Sequence, residues 1–388
     1  MKTKEMKLFL GFTLLFAQFT VFGQQQDLNA TGKNLRTASG KIRKLPYSNM
    51  ALSGKFIGTA LADSNWYYWC TSPIQGKDKK IHLFSSRWPA VEGMEGWSGP
   101  NAEISHFVGD RPEGPFKYVS TIMKTSMFPD QKTMAGPHNP RIEYVDGKYI
   151  LLYICQDPSG VYGQRTGMMI ADKIEGPWRF AGENDGIMIT RSNDPKHWTY
   201  KAAIGADNPA FLKIGKKYYI YYKCGTPEHM AAKYGYAVSD KLEGPYKMCD
   251  APITDNVSYL EDAQAFAYKN KYYLLTTDNL GGNTGIYGDL ILWESGSGLK
   301  FNLSDAKIAM GNLLDYWGTE EDHKKLFAIK DHFERDRTGK LERPAVLFQN
   351  GKPAYLYAAG DLNVHGGKVS ESYVFKIDFD DKKSKEHK

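Results

Sequence analysis

The chain has 388 residues, a formal net charge of +6, 13% aromatic residues and four cysteines. Its length leaves either two ordinary domains or one large domain built from repeats, and four cysteines are too few for a disulfide scaffold in a chain this long. Lysines and arginines are scattered without a basic stripe, which argues against a nucleic-acid surface.

In chain order, Lys2, Lys4 and Lys7 precede an apolar run from Leu8 to Phe22 that ends in Gly23. This is the layout of a secretory signal peptide. Its removal takes three lysines and Glu5 with it and leaves a net charge of +4. No other stretch approaches the ~20 apolar residues of a membrane span, and no cysteine stands at the cleavage point to take a lipid. A secreted or periplasmic protein is expected, with 24–50 a polar extension and 381–388 a charged tail.

Between these lie repeats. Asp110–Phe116 (DRPEGPF) recurs as Asp172–Trp178 (DKIEGPW) and Asp240–Tyr246 (DKLEGPY). A second unit is a hairpin: a short apolar run, a Gly- or Asn-containing turn, then a Tyr-rich run. It reads as Arg141–Val145, Asp146-Gly147 and Lys148–Cys155, then as Ala210–Ile214, Gly215-Lys216 and Lys217–Cys224, with weaker copies at Gln264–Asp278 and Ala345–Ala359 and a first copy ending near Trp88. Each is introduced by a polar residue, one further residue and usually Pro: Thr71-Ser72-Pro73, His138-Asn139-Pro140, Asp207-Asn208-Pro209, Glu261-Asp262-Ala263 and Glu342-Arg343-Pro344. Proline suits the first position of a strand, where no ladder donor is needed. The spacings of 67, 69, 54 and 81 residues each hold a four-stranded blade. An all-β, five-bladed propeller over 51–380 is therefore expected. A strand near Lys55–Thr59 would pair with the last blade and remove the free edges. Gly311–Lys340 reads as a partly helical insertion between blades four and five.

Inner strands of a propeller start at one end of the channel, so Thr71, His138, Asp207, Glu261 and Glu342 are expected to form a ring. Residues 17 further on, Trp88, Cys155, Cys224, Asp278 and Ala359, would stand beside it. Acids across a channel suit glycoside hydrolysis, where one protonates the leaving oxygen and another activates water or attacks. Crowding also drives their pKa values apart. The plainer reading is that Asp207, Glu261 and Glu342 cap strand starts.

The signal peptide, the five hairpins with Gly-Lys-Tyr-Tyr-like second strands, the Asp-x-Pro of blade three and the Glu-x-Ala of blade four resemble the five-bladed glycoside hydrolases of families 43 and 117. The likeness spans about Ala51 to Asp378. It implies that Glu261 is the general acid and that Asp207 tunes it and orients the sugar. The family base is an aspartate opening blade one, where this chain aligns Thr71, so Asp63 is put forward as the base. Arg87, Trp88, Trp66, His138, Asp278 and Glu342 would complete the sugar site, with Arg87 donating a planar pair of hydrogen bonds and tryptophans stacking on a pyranose face. No cofactor is required. Related propellers hold a metal ion or a water in the channel, and His365 is the residue expected at a divalent ion such as Ca2+, although no cluster has ligand spacing. Cys155 and Cys224, in equivalent places of adjacent blades, are too far apart for a bridge and should be free.

The expected activity is an exo-acting, inverting hydrolysis of a plant or algal oligosaccharide or polysaccharide. Loops Val91–Asn101, Met127–Pro137 and Asp278–Gly288 would set the sugar. The rivals are a catalytically silent glycan-binding propeller and a polysaccharide lyase.

Overall fold

The computed structural model describes residues 43–226, 229–330, 334 and 336–380. The expected signal peptide, most of the extension and the charged tail lie outside the described residues. A short helix α1 (Asn49–Ser53) precedes β1 (Lys55–Leu61). Blade one is β2 (Trp66–Gln75), β3 (Ile81–Pro89), β4 (Glu103–Gly109) and β5 (Lys117–Lys124). Blade two is β6 (Ala135–Val145), β7 (Lys148–Gln156) and β8 (Arg165–Ala171), with the short β9 (Arg179–Phe180) and β10 (Ile187–Ile189) both paired to β8. Blade three is β11 (Asp207–Ile214), β12 (Lys217–Thr226), β13 (His229–Ser239) and β14 (Lys247–Met248). Blade four is β15 (Leu260–Tyr268), β16 (Lys271–Asp278), β17 (Leu290–Ser295) and β18 (Lys307–Met310). Blade five is β19 (Leu341–Gln349), β20 (Lys352–Gly360) and β21 (Glu371–Lys376), and β1 returns as its outer strand by antiparallel pairing from Lys55↔Lys376 to Leu61↔Ser372. Within 311–340, one α-helix, α2 (Glu320–Phe327), is capped by Thr319.

Successive side chains of a strand leave opposite faces of the sheet. The second strands, buried on both faces, therefore feed two cores at once. Leu151 packs with Phe84 between blades one and two, and Leu152 with Ile220 between two and three. Tyr221 meets Leu274 between three and four, Leu275 meets Leu356 between four and five, and Tyr357 meets Leu83 between five and one. This explains why these strands read as unbroken apolar runs and not as alternating ones.

The inner hairpins close through turns with left-handed residues, Asp146 (φ 49°) and Gly147 (φ 83°) in blade two and Asn350 (φ 51°) and Gly351 (φ 73°) in blade five. The threefold Glu-Gly-Pro motif is the link from third to fourth strand in blades one to three. Each copy has a cis Gly-Pro bond and a glycine at φ 86°, 101° or 88°. A Cβ on Gly114 would also strike the Phe116 ring at 2.9 Å. Blade five borrows its fourth strand from β1 and blade four uses a longer link, so five blades carry three copies.

One irregularity recurs in every inner strand. Each breaks register at the same place and puts one residue in the left-handed region: Cys70 (φ 51°), Asn139 (φ 54°), Asn208 (φ 49°), Asp262 (φ 70°) and Arg343 (φ 55°). Their side chains meet on the axis. Arg343 pairs with Asp262 at 2.6 Å and also reaches Asn208. Asp262 accepts from Thr277 at 2.9 Å and from the Arg343 amide at 3.2 Å. Below this layer Arg141 of blade two reaches across to donate to the Asp262 and Ala263 carbonyls, both at 3.0 Å. Asp262 is fully buried and Arg343 nearly so, and removing one partner of a buried pair strands the other charge. Asp262→Ala should cost about 3–5 kcal/mol in urea unfolding. The double variant Asp262→Ala/Arg343→Met should recover part of that loss.

Candidate active site

The repeated break in register fixes which residues face the mouth. The residue before each left-handed position pairs with the second strand as Trp69↔Ser86, His138↔Ile154, Asp207↔Lys223, Glu261↔Thr277 and Glu342↔Ala359. Four of the five expected ring members hold their place. Blade one differs: the equivalent position is Trp69, and Thr71 lies two residues deeper, buried and bonded to Ser85 at 2.9 Å. Pro73 misled the alignment, because in this blade the proline follows the break by three residues and in blades two, three and five by one. The neighbouring set shifts too. Ser86, Ile154, Lys223 and Thr277 stand opposite the ring in place of Trp88, Cys155, Cys224 and Asp278, and only Ala359 is as expected.

That shift brings in a residue the sequence reading missed. The Lys223 ammonium, buried at 4% side-chain exposure, lies 2.7 Å from Glu261 Oε1 and 3.5 Å from Asp207 Oδ1. Tyr259 flanks it, with its hydroxyl 3.5 Å away. Glu261 Oε2 accepts from Asn279 at 2.7 Å. Lys340 bonds Asn279 Oδ1 at 3.2 Å and pairs with Glu342. Asp207 is 1% exposed, and neither carboxylate oxygen has a hydrogen bond. Burial, opposed by Lys223 and reinforced by the Glu261 charge, pushes its pKa up to about 6. Burial acts on Glu261 too, but Lys223 and then Arg343 overcome it and hold that carboxyl below its ordinary value.

His138 is buried, its Nδ1 2.6 Å from the Gly136 carbonyl and its Nε2 without a partner. Desolvation, with Arg343 and Lys223 nearby, lowers its pKa to about 3, so the ring is neutral and donates through Nδ1. The half-buried Trp97, from the Val91–Asn101 loop, meets His138 edge-on at 5.0 Å.

Other expected site residues are placed elsewhere. Trp88 is fully buried, stacked on Tyr67 at 5.4 Å and donating to the Gly93 carbonyl, so it offers no face to a sugar. Arg87 is paired with Glu103 at 2.7 Å and lies over Trp66 and Tyr118, which commits both Arg87 and Trp66 to blade one. Asp278 is buried and accepts from Asn283 and Thr284, organising the loop that carries Asn279. Asp63 is exposed, and its carboxylate accepts from the Asn65 backbone and side-chain amides in a tight turn. His365 lies on an exposed edge, paired with Glu371 at 2.6 Å. Among the described residues no group of three or more His, Cys, Asp or Glu is arranged to hold a metal ion, so these residues do not fit the divalent site expected at His365. All four cysteines are free thiols.

No family model and no curated protein matches this sequence. Solved structures do. A family 117 glycoside hydrolase of the marine bacterium Zobellia galactanivorans aligns with a TM-score of 0.60 at 15% identity, covering 86% of this chain and 94% of that one. A family 43 β-xylosidase/α-arabinofuranosidase from a compost metagenome, solved with xylotriose in a calcium-free form, aligns at 0.54 and 14%, covering 83% and 94%. An exo-1,5-α-L-arabinanase from a bovine ruminal metagenomic library aligns at 0.52 and 14%, covering 82% and 96%. The chain is thus a five-bladed propeller of the kind found in these hydrolases. No helix among the described residues is long and apolar enough to cross a membrane.

Because the folded pKa of Asp207 lies above the ordinary ~3.9 of an aspartate, the fold favours its protonated form. That contribution is present below about pH 4 and is lost as pH rises to about 6. Relative to wild type, Asp207→Asn should therefore gain on the order of 2–3 kcal/mol between those limits, measured by urea unfolding across that range.

Proposed function

We propose that this chain is a secreted glycoside hydrolase that removes a terminal sugar from an oligosaccharide or polysaccharide by an inverting acid-base reaction. The observation that carries the reading is the gathering of Asp207, Glu261 and Glu342 around one channel mouth with only two lysines, Lys223 and Lys340, paired to them. Placing that many acids together is costly without a use. The likeness in fold to hydrolases of families 117 and 43 points the same way.

Asp207 and Glu261 share one ammonium, so they stand on the same side of any sugar that enters. A water-activating carboxylate must come from elsewhere in the mouth. We assign that role to Glu342, on the ring of blade five, over the exposed Asp63, whose carboxylate is held in its own turn. Trp97 edge-on to His138, Asn279 against Glu261, and Lys340 over the Tyr287 ring at 4.8 Å bring the walls in close, which favours attack at a chain end.

A silent glycan-binding propeller is the second reading, favoured by the absence of an acid at the ring position of blade one, which Trp69 holds. A hydrolysis screen over plant and algal oligosaccharides separates the two. Wild type should release a terminal sugar, and Glu261→Gln, checked by circular dichroism to be folded, should lower kcat by about 10²–10⁴-fold. Binding without cleavage would favour the second reading. NMR of the first-released anomer should show inversion, and retention would reject the single displacement.

On the cleaved glycan, Glu342→Gln should depress kcat by about 10²-fold or more, and Asp63→Asn should leave it within about twofold.

A further inference from the structure

The two acids nearest the mouth are not equivalent, and the difference comes from Lys223. Its ammonium donates a 2.7 Å bond to Glu261 but stands 3.5 Å from Asp207, a distance at which Asp207 receives no hydrogen bond. Glu261 has a second donor in Asn279 and keeps 16% of its side chain open. Asp207 has no donor and is sealed. An ionised carboxylate is stable when hydrogen-bonded to a cation, whereas a sealed carboxyl without donors is stable when neutral.

The remaining charged and titratable groups do not reverse this. Asp207 faces the Glu261 charge, Lys223 and, at longer range, Arg343, while the Cys224 thiol and the Tyr234 and Tyr259 phenols beside it are all pushed up by burial and stay neutral. Glu261 faces Lys223, Arg343 and Lys340. Glu342, on the neighbouring blade, adds a like charge but is itself paired with Lys340. His138 is neutral.

We infer that Lys223 is a positioning residue that holds Glu261 as a carboxylate and so leaves the mouth's proton on Asp207. This reverses the roles that the family resemblance implies, in which the glutamate donates the proton and the aspartate tunes it. A substrate therefore meets Glu261 as an anion, and Asp207 is the carboxyl that keeps its proton toward neutral pH. The consequence for catalysis rests on the hydrolase reading, but the order of protonation does not.

The test is a carboxyl titration by NMR on full-length protein labelled with 13C at Asp and Glu side-chain carboxyls. The two resonances are assigned with Asp207→Asn and Glu261→Gln. In wild type, Asp207 should titrate near pH 6, with Glu261 already ionised there. In Lys223→Met the Glu261 titration should rise toward that of Asp207, and in Lys223→Arg it should stay where wild type has it. A wild-type Glu261 that titrates above Asp207 overturns the inference, as does a folded Lys223→Met variant whose Glu261 titrates as in wild type. If the methionine variant does not fold, the wild-type titration alone decides. Cleavage is scored separately: absence of a released sugar counts against the hydrolase reading and leaves the titration intact. If wild type does cleave a glycan, Lys223→Met should displace its pH–rate profile and Lys223→Arg should restore it.

Discussion

The left-handed residue repeated once in each inner strand is the constraint on which the rest of this molecule depends. Non-glycine residues in that conformation cost about 1–2 kcal/mol each, and five are paid for at one level of the channel. Two of the five are asparagine and one is aspartate, the types that tolerate it best; cysteine and arginine in blades one and five need other support. Arg343 has it in the ion pair with Asp262, held in turn by Thr277, and Cys70 has it in dense burial. The break in register turns the residue before it toward the mouth and brings the next layer together across the axis. The same feature that plugs the channel therefore also aims Asp207, Glu261 and Glu342.

Electrostatics at the mouth follow from how few cations serve those acids. A unit-charge pair ~4 Å apart gains about 4 kcal/mol in a partly buried setting, against a desolvation cost of several kcal/mol for each ion. One ammonium cannot repay two carboxylates in full. The acid with the shorter bond and a second donor, Glu261, keeps its charge, and Asp207 moves toward the neutral form. Glu342 has Lys340 to itself, and Asp262 has Arg343. The mouth is thus close to charge balance while still containing one carboxyl poised to hold a proton.

Much of the architecture was legible because it repeats. The Asp-Gly and Asn-Gly turns, the paired apolar faces of the second strands and the Glu-Gly-Pro motif are local signals read the same way in each copy, and the pairing of Lys55–Thr59 with the last blade followed from the need to close an edge. Blade one was placed two residues out of register because Pro73 looked like the prolines of blades two, three and five, while the true marker, the conformation of Cys70, leaves no compositional trace. Lys223 escaped for a related reason. Counting 17 residues along the hairpin reaches Cys224, on the opposite face, since a slip of one residue in a strand exchanges its two sides. Tryptophans and Arg87 were assigned to sugar on residue type alone, and burial together with Glu103 decided otherwise.

The outer strand of blade five comes from near the start of the described residues, more than 300 residues from its partner β21. Segment 43–48 is fastened beside it on blade four, where Arg43 grips Asp289 at 2.6 Å and Tyr47 bridges to Ile308. During synthesis, then, β1 emerges first and its partner last, and every other blade can assemble before the circle closes. Loop closure over that separation makes the final pairing slow. Until β21 arrives, both β1 and the flank of blade five present unpaired backbone, the kind of edge that templates association with other chains. Closing the ring with β1 therefore also removes the edges through which one copy could pair with another.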